Sequence, residues 1–290
     1  MMKHLLSRIE GMAPKFSKGQ RRIAAYIEEN YDKAAFMTAA RLGETVGVSE
    51  STVVRFAAEL GYDGYPKLQR AMQEMIRSKL TSVQRIEVTS SRIGDQDVLD
   101  SVLNQDIEKI RRTLDETSHE DFYQAVDAIG KAEKIYILAA RSSVPLADFL
   151  GYYFSLIFEN VKVVNTTSET EMYEQLFRVN ENDVIIGISF PRYSRCAVKA
   201  MEFASDCGAC VIGMTDSMIS PLVKPSNYIL LARSDMASVV DSLVAPLSLI
   251  NALIVATALK KKAEVTDTFR QLEHIWDQYN VYEKIEEEEL

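Results

Sequence analysis

Three hydroxyl side chains and one arginine lie close together in the first quarter of the chain. They are Ser49, Ser51, Thr52 and Arg55. A hydroxyl group both donates and accepts hydrogen bonds, and a guanidinium donates several in a fixed geometry. At the start of a helix, this combination suits the base edges and phosphates of double-stranded DNA in the major groove. We therefore predict that these four residues contact DNA.

The surrounding residues predict the two helices that would hold this set. Gly43 places a small residue where the helices would touch. Gly47 suits the tight turn between them because glycine readily adopts a left-handed conformation. The positions that would face inward are all apolar: Leu42, Val46, Val48, Val53 and Phe56. This pattern is typical of a helix-turn-helix unit, and the alternative is a helical hairpin with a solvated polar face.

Helix-start signals recur through residues 1–79, which we predict to form an all-α head. Ser17 begins a capping-box spacing, and Thr38 and Ser49 are placed to cap the next two helices. Pro66 suits the first turn of a fourth helix, because proline is favoured there.

Polar residues also follow two of the apolar runs in the remainder of the chain. The residues that we predict to bind a ligand there are Ser142, Ser143, Ser189, Arg192 and Ser194. Each set opens a helical pattern, so hydroxyls, backbone N–H groups and a helix dipole would meet in one place. Such a place binds anions, and an arginine strengthens a phosphate contact. The alternative is that these serines are only helix caps.

The remainder of the chain alternates strand-like runs with amphipathic helical patterns. The runs are Ile135–Ala139, Val161–Val164, 184–189, Cys210–Thr215 and Tyr228–Leu231. They are continuously apolar, which is typical of strands buried on both faces. Five strands alternating with helices predict a parallel sheet in an α-β-α sandwich. A long helix over 241–263 is predicted to close this α/β body.

Charge is distributed unevenly between the head and the body. Residues 1–80 carry 13 basic and 9 acidic side chains, a net charge of +4. The rest carries 20 basic and 33 acidic side chains, a net charge of -13. A basic head on an acidic body suits a protein that presents only its head to phosphates.

The segment from Val46 to Phe56, followed by the run from Leu60 to Pro66, resembles the N-terminal domain of the RpiR family of bacterial regulators. The resemblance extends over the whole chain. It implies a helix-turn-helix DNA-binding domain over 1–79 and a SIS (sugar isomerase) domain over 105–290 that senses a sugar phosphate. Between them, residues 80–104 are rich in serine, threonine, aspartate and glutamine and show weak apolar periodicity, which predicts a linker that can be partly helical. The implied partners are an operator in double-stranded DNA and a phosphorylated sugar.

The two phosphosugar motifs of SIS domains are altered in this chain. The first, Gly-x-Gly-x-Ser, falls on 139–143, where alanine and Arg141 replace both glycines. The second, Ser-x-Ser-Gly-x-Ser/Thr, falls on 189–194, where proline and Arg192 replace the middle pair. Bulkier side chains change the size and charge of the site, and the added arginines favour an anionic ligand.

The residues predict no metal, no cofactor and no catalytic group. Cys207 and Cys210 have the spacing of a redox or zinc pair, but a second ligand pair is not evident, so we predict packing roles. Neither a Walker phosphate loop nor a dinucleotide-binding glycine motif is present. The absence of a long apolar run and of a signal peptide, together with only three cysteines, predicts a cytoplasmic protein without a membrane segment.

Two functions from different classes follow from these patterns. The favoured function is a transcription regulator of carbohydrate metabolism genes, acting as a homodimer or tetramer, whose operator binding responds to a phosphorylated sugar. The predicted helix over 241–263 either supplies the dimer interface or only covers the sheet.

The alternative function is an aldose–ketose isomerase acting on a sugar phosphate. That reaction needs a base, commonly glutamate, and an acid–base group for ring opening, commonly histidine. The body contains only His119 and His274, and neither follows a predicted strand. Glu169 and Glu171 are candidate bases, but both begin a helical pattern, where the helix dipole ordinarily favours glutamate.

Overall fold

The computed structural model describes residues 2–76, 81–94, 97–166, 168–234 and 240–283. The chain divides into two compact units. The first contains Met1–Leu103 and Asp235–Asp241, and the second contains Asn104–Ser234 and Ser242–Leu290. Each unit has its own hydrophobic core, which is what an independent domain requires.

The regular structure in the described part of the first unit is helical. Its helices are α1 (Met2–Met12), α2 (Lys18–Glu29), α3 (Tyr31–Ala34), α4 (Ala39–Val46), α5 (Glu50–Glu59), α6 (Tyr65–Ile76) and α7 (Ser82–Ile93), with a 3-10 turn at Ala13–Lys15. The apolar faces of the first six helices meet in one core, where the rings of Phe16 and Phe56 lie 5.1 Å apart. The predicted all-α head is confirmed.

Two of the predicted helix starts are formed by the expected side chains. The backbone N–H of Gln20 donates to Ser17 Oγ at 3.4 Å, and the N–H of Ser17 donates to Gln20 Oε1 at 2.8 Å. Thr38 Oγ1 accepts a hydrogen bond from the N–H of Arg41 at 3.2 Å. These bonds satisfy amides that the first turns of α2 and α4 leave without an acceptor.

Helices α4 and α5 pack closely because glycine occupies the crossing point. A Cβ atom on Gly43 would lie 2.8 Å from the carbonyl oxygen of Val48. Gly47 ends α4 in the left-handed conformation, with φ of 70°. Four of the five predicted inward residues are buried, and Val48 is half-buried. The predicted helix-turn-helix geometry is therefore present.

A five-stranded parallel sheet forms the centre of the second unit. Its strands are β1 (Ile135–Ala139), β2 (Val161–Val164), β3 (Val184–Ile188), β4 (Cys210–Thr215) and β5 (Tyr228–Leu231). Their order across the sheet is β2-β1-β3-β4-β5, and each neighbouring pair is parallel. The predicted strands are confirmed, although β3 ends one residue earlier than expected. The three inner strands are almost fully buried, whereas the two edge strands are partly exposed.

Helices cover both faces of this sheet. The helices that follow α7 are α8 (Val98–Glu116), α9 (His119–Lys131), α10 (Val144–Ser155), α11 (Glu169–Leu176), α12 (Arg195–Asp206), α13 (Val244–Lys260) and α14 (Lys262–Gln278). Side chains from α9, α10 and α13 form a core on one face, and side chains from α11 and α12 form a core on the other. The predicted α-β-α sandwich is confirmed.

The predicted closing helix over 241–263 is wrong in its bounds. Helix α13 is shorter, and α14 follows it after a bend of 99°. Thr257 is the last buried residue of α13. Among the described helices, none by itself has the length and apolar composition of a membrane span, and α13 with α14 meets those criteria only as a bent pair.

The predicted linker over 80–104 contains regular structure. Helix α7 lies within it, and α8 begins within it at Val98. The apolar residues Leu99 and Leu103 on α8 are exposed. The boundary between the two compact units falls inside α8, after Leu103.

Substituting Gly43 by alanine is expected to destabilise the head. The added Cβ would meet a backbone oxygen, which cannot move aside as a flexible side chain can, so we expect a loss of about 1–3 kcal/mol in free energy of unfolding. Gly11→Ala on α1 is the matched control, because its added Cβ meets no atom within 4 Å. The free energies of unfolding of the two variants are measured by urea denaturation, with hydrogen exchange of the head amides as the readout. Equal stability of the two variants would contradict a tight crossing of α4 and α5.

Candidate DNA-binding surface and ligand site

The predicted DNA-contacting hydroxyls form one cluster at the start of α5. Ser49 Oγ lies 2.9 Å from Ser51 Oγ and 2.9 Å from Thr52 Oγ1. Ser49 occupies the predicted N-cap position, but its hydroxyl bonds to these two hydroxyls and caps no backbone amide. The expected side-chain cap is therefore wrong, and the hydroxyls instead hold one another on the surface of the head.

Arg55 lies one turn further along the same exposed face. Its Nε donates to the carbonyl oxygen of Ser51 at 3.3 Å, so the side chain lies along the cluster. The start of α2 borders this face, because a Cβ on Gly19 would lie 3.4 Å from the methyl group of Thr52. A pocket with a volume of about 500 Å³ lies between the two helix starts. Two adjacent helix N-termini favour a negatively charged ligand such as a DNA phosphate.

The sequence did not predict the hydrogen bonds of Tyr65, the second tyrosine in the run from Gly61 to Tyr65. The Tyr65 hydroxyl donates to the carbonyl oxygen of Met37 at 2.9 Å, and Gln69 Nε2 donates to the same oxygen at 2.8 Å. Burial raises the pKa of Tyr65, so the phenol remains a donor. These bonds tie α6 to the residue before Thr38, and they thereby fix where α4 begins.

The two predicted ligand loops follow neighbouring strands. Ala139 at the end of β1 pairs with Ile188 at the end of β3, so both loops leave the same edge of the sheet. After β1 the chain crosses to β2 on one side, and after β3 it crosses to β4 on the other. Reversal of the crossover direction opens a crevice at the carboxyl ends of the strands, where α/β proteins of this kind bind ligands.

The first loop keeps a glycine-like backbone although it has no glycine. Arg141 has φ of 58°, a left-handed conformation that costs a non-glycine residue about 1–2 kcal/mol. Arg141 begins a short 3-10 turn, in which Ser142 is exposed and Ser143 is buried. Ser143 precedes α10 but caps no backbone amide with its side chain, so a role as a helix cap does not account for it.

The second loop is held by its own serines. Ser189 Oγ accepts a hydrogen bond from the N–H of Ser194 at 3.1 Å, and Ser194 Oγ accepts one from the N–H of Ala197 at 3.3 Å. Ser194 therefore caps α12, as the alternative interpretation expected, and it retains a proton to donate to a ligand. Arg192 is exposed beside them. The loop thus presents a hydroxyl, a guanidinium and a helix N-terminus together.

Two polar residues that sequence reasoning missed support this loop from the end of β4. Thr215 Oγ1 donates to the carbonyl oxygen of Ser189 at 2.9 Å. The Tyr193 hydroxyl donates to Asp216 Oδ1 at 2.7 Å. The available signal was their position, because they are polar residues at the carboxyl end of an otherwise apolar strand.

The cysteines remain candidates for packing roles. All three are free thiols, and the described residues contain no group of three metal-ligating side chains. Burial raises the pKa of Cys196 and of Cys210, which disfavours the thiolate that redox chemistry and metal binding need.

The side chains considered for isomerase chemistry are dispersed. His119 begins α9 beside the apolar groove that contains Phe122, and His274 lies exposed on α14. Glu169 pairs with Lys199 at 2.7 Å, and Glu171 accepts a hydrogen bond from Thr166. Neither histidine lies in the two loops at the carboxyl ends of β1 and β3.

Two stretches of the chain match known family profiles. Residues 3–79 match the helix-turn-helix domain of the rpiR family, and residues 128–256 match the SIS domain. HexR, an HTH-type transcriptional regulator of Escherichia coli strain K12, is 23% identical over 278 residues, which cover 93% of each chain.

Two solved structures resemble the chain in fold. The sugar isomerase domain of an RpiR transcription factor from Sphaerobacter thermophilus is 26% identical, with a TM-score of 0.59 over 62% of this chain and 99% of that one. NanR of Vibrio vulnificus, in complex with ManNAc-6P, is 22% identical, with a TM-score of 0.56 over 95% of this chain and 98% of that one.

Together with the helix-turn-helix head and the parallel sheet, these matches define a helix-turn-helix transcription regulator that carries a SIS domain. The chain belongs to the RpiR family, as the resemblance of its head predicted.

Replacing Ser189 by alanine is expected to loosen the second loop. The substitution removes the acceptor of the Ser194 amide, and the unsatisfied N–H should cost about 1–3 kcal/mol in free energy of unfolding. Ser155→Ala is the control, because its hydroxyl is exposed and its loss should cost no more than about 0.5 kcal/mol. Calorimetry measures the midpoint temperature of thermal unfolding for each variant. Equal midpoint temperatures would show that the Ser189 hydrogen bond does not hold the loop.

Proposed function

We propose that the head binds operator DNA through the exposed face of α5. The cluster of Ser49, Ser51 and Thr52 carries this proposal, because it gathers three hydroxyls at one helix start. Arg55 adds a donor of fixed geometry on the same face. Hydroxyls and arginine at such a position suit base edges and phosphates. The net charge of +4 over residues 1–80 attracts the DNA backbone.

The effector in this proposal is a phosphorylated sugar bound at the loops after β1 and β3. The phosphate would lie at the start of α12, where Ser194 and Arg192 offer donors and the helix dipole favours an anion. Ser142, Ser143 and Ser189 complete the proposed set. The complex of NanR with ManNAc-6P supports a ligand of this class, since that protein has a similar fold.

Regulation without turnover is the activity that these features favour. The candidate histidines lie outside the proposed ligand loops, and the candidate glutamates are engaged by Lys199 and Thr166. The regulator would act in the cytoplasm as a homodimer, so that two copies of α5 meet two half-sites. Leu249, Ile250 and Leu253 of α13 cover the sheet, whereas its exposed face remains available to a second copy. The regulated genes would serve carbohydrate metabolism.

Arg55→Ala is expected to weaken binding to operator DNA about tenfold or more. Loss of a base contact or of a phosphate contact costs about 1–3 kcal/mol, and a lost phosphate contact also lowers the salt dependence by about one counterion. Fluorescence anisotropy on duplexes selected from a random DNA library measures the affinity at several salt concentrations.

Arg270→Ala provides the matched control for Arg55. Arg270 is an exposed arginine on α14, and its loss removes the same charge from the other unit. Equal loss of affinity in both variants would indicate a general charge effect and contradict a specific role for α5. Footprints of two half-sites about one helical turn apart would support a dimer.

A sugar phosphate is expected to bind the wild-type chain, whereas the corresponding unphosphorylated sugar is not. Arg192→Ala should lower the affinity about tenfold, because it removes one charge-assisted contact with phosphate. Isothermal titration calorimetry with N-acetylmannosamine 6-phosphate, glucose 6-phosphate and ribose 5-phosphate tests this, with Arg270→Ala as the control. If NMR detects conversion of any of these compounds to its isomer, the alternative function of an aldose–ketose isomerase would be favoured instead.

A further inference from the structure

A chain of polar contacts crosses the carboxyl ends of β3, β4 and β5. Tyr193, in the loop after β3, donates to the carboxylate of Asp216, which follows β4. Arg233 follows β5, and its Nη1 donates to the carbonyl oxygen of Asp216 at 3.4 Å. Asp216 is therefore bonded to a residue from the strand end on each side. It is also almost completely buried, so these contacts replace those that water would otherwise make.

The second ligand loop, which follows β3, is bonded to this series of polar contacts at two points. Besides the Tyr193 contact, Thr215 Oγ1 donates to the carbonyl oxygen of Ser189 and lies 2.7 Å from Ser220 Oγ. Ser189 Oγ in turn accepts a hydrogen bond from the backbone N–H of Ser194. If a bound ligand displaces the loop, Thr215 and the neighbouring Asp216 would therefore shift with it, because buried hydrogen-bonded groups do not move independently.

The other end of the chain of contacts reaches the last turn of α8. The Arg233 guanidinium forms an ion pair with Glu116, and the Arg233 N–H donates to Thr113 Oγ1 at 2.8 Å. One residue beyond the helix end, Thr117 Oγ1 donates to the carbonyl oxygen of Leu231 at 2.6 Å. The side chains of Arg233 and Glu116 are 13% and 32% exposed, so solvent screens this ion pair in part.

Helix α8 is the part of the chain that leads back toward the head. It runs without interruption from Val98 to Glu116 and begins inside the segment predicted as the linker. A helix of this length is stiff, so a change at its last turn can be carried along it.

We infer that the contacts Tyr193–Asp216–Arg233–Glu116 couple the ligand loop to α8, and that this coupling transmits effector binding. The inference rests on the proposed function, because it names the route by which that site regulates. Arg233 and Asp216 act as positioning residues in it: they hold the loop and the helix in a linked arrangement. A ligand that shifts Tyr193 changes the bonding of Asp216 and Arg233, and the last turn of α8 responds.

The first test needs no effector. Tyr193→Phe removes the hydroxyl that donates to Asp216 and leaves the ring in place. Hydrogen exchange of the full chain, read on the α8 amides from Thr113 to Glu116, should become about tenfold faster, which corresponds to the loss of one hydrogen bond to a charged group. Tyr173→Phe on α11 is the control, because that ring packs on Phe203 in a different part of the sandwich. Unchanged exchange in α8 would overturn the inference.

The second test measures coupling rather than stability. The ratio of operator Kd values with and without glucose 6-phosphate, or whichever of the three sugar phosphates binds, defines the coupling factor. Arg233→Gln and Glu116→Gln should each bring that ratio to about one, while operator Kd and effector Kd stay within about threefold of wild type. Variants that keep the wild-type ratio would overturn the inference.

The two tests separate a failure of this inference from a failure of the proposed function. If no sugar phosphate binds the wild-type chain, the effector proposal fails, yet the exchange response of α8 to Tyr193→Phe still decides whether loop and helix are linked. If a sugar phosphate binds and shifts operator affinity in wild type and in both glutamine variants alike, the effector stands and this route is wrong.

Discussion

The hydrogen-bonded pairing of β1 with β3 determines where the two candidate ligand loops lie. Because these strands are neighbours in space and not in sequence, the crossovers that follow them run in opposite directions. The two following loops must then separate, and a crevice opens between them. The serines, the arginines and the start of α12 derive their shared location from this single pairing. The contacts of Asp216 and Arg233 extend the same edge across β4 and β5.

Much of this arrangement could be predicted from the sequence, since it depends on local signals. Continuous apolar runs predicted the strands, and Thr38, Gly43 and Gly47 predicted the helix pair of the head. The side-chain behaviour of Ser49 could not be predicted in the same way. A hydroxyl at an N-cap position chooses between a backbone amide and neighbouring hydroxyls, and that choice depends on the rotamers of residues that themselves have alternatives.

Long-range contacts were the other part that sequence could not supply. The bond from Tyr193 to Asp216 joins residues 23 positions apart, and the pairing of Arg233 with Glu116 joins residues 117 positions apart. No local pattern predicts which distant side chain each of these residues contacts. The bend after α13 was missed for a related reason, because helix propensity continues past Thr257, the last buried residue of α13. The positions of the candidate site were predictable, whereas the contacts that support it required the fold.

The mutual bonding of Ser49, Ser51 and Thr52 has a consequence for how the head would search along DNA. Each hydroxyl can exchange donor and acceptor roles by rotating one proton, without moving a heavy atom. In the proposed complex, the same three oxygens would therefore satisfy each other in free solution, a phosphate during sliding, or a base edge at the correct sequence. Little reorganisation separates these states, so the barrier between scanning and recognition would be low. Residues of this kind favour a fast search over a slow rearrangement at each site.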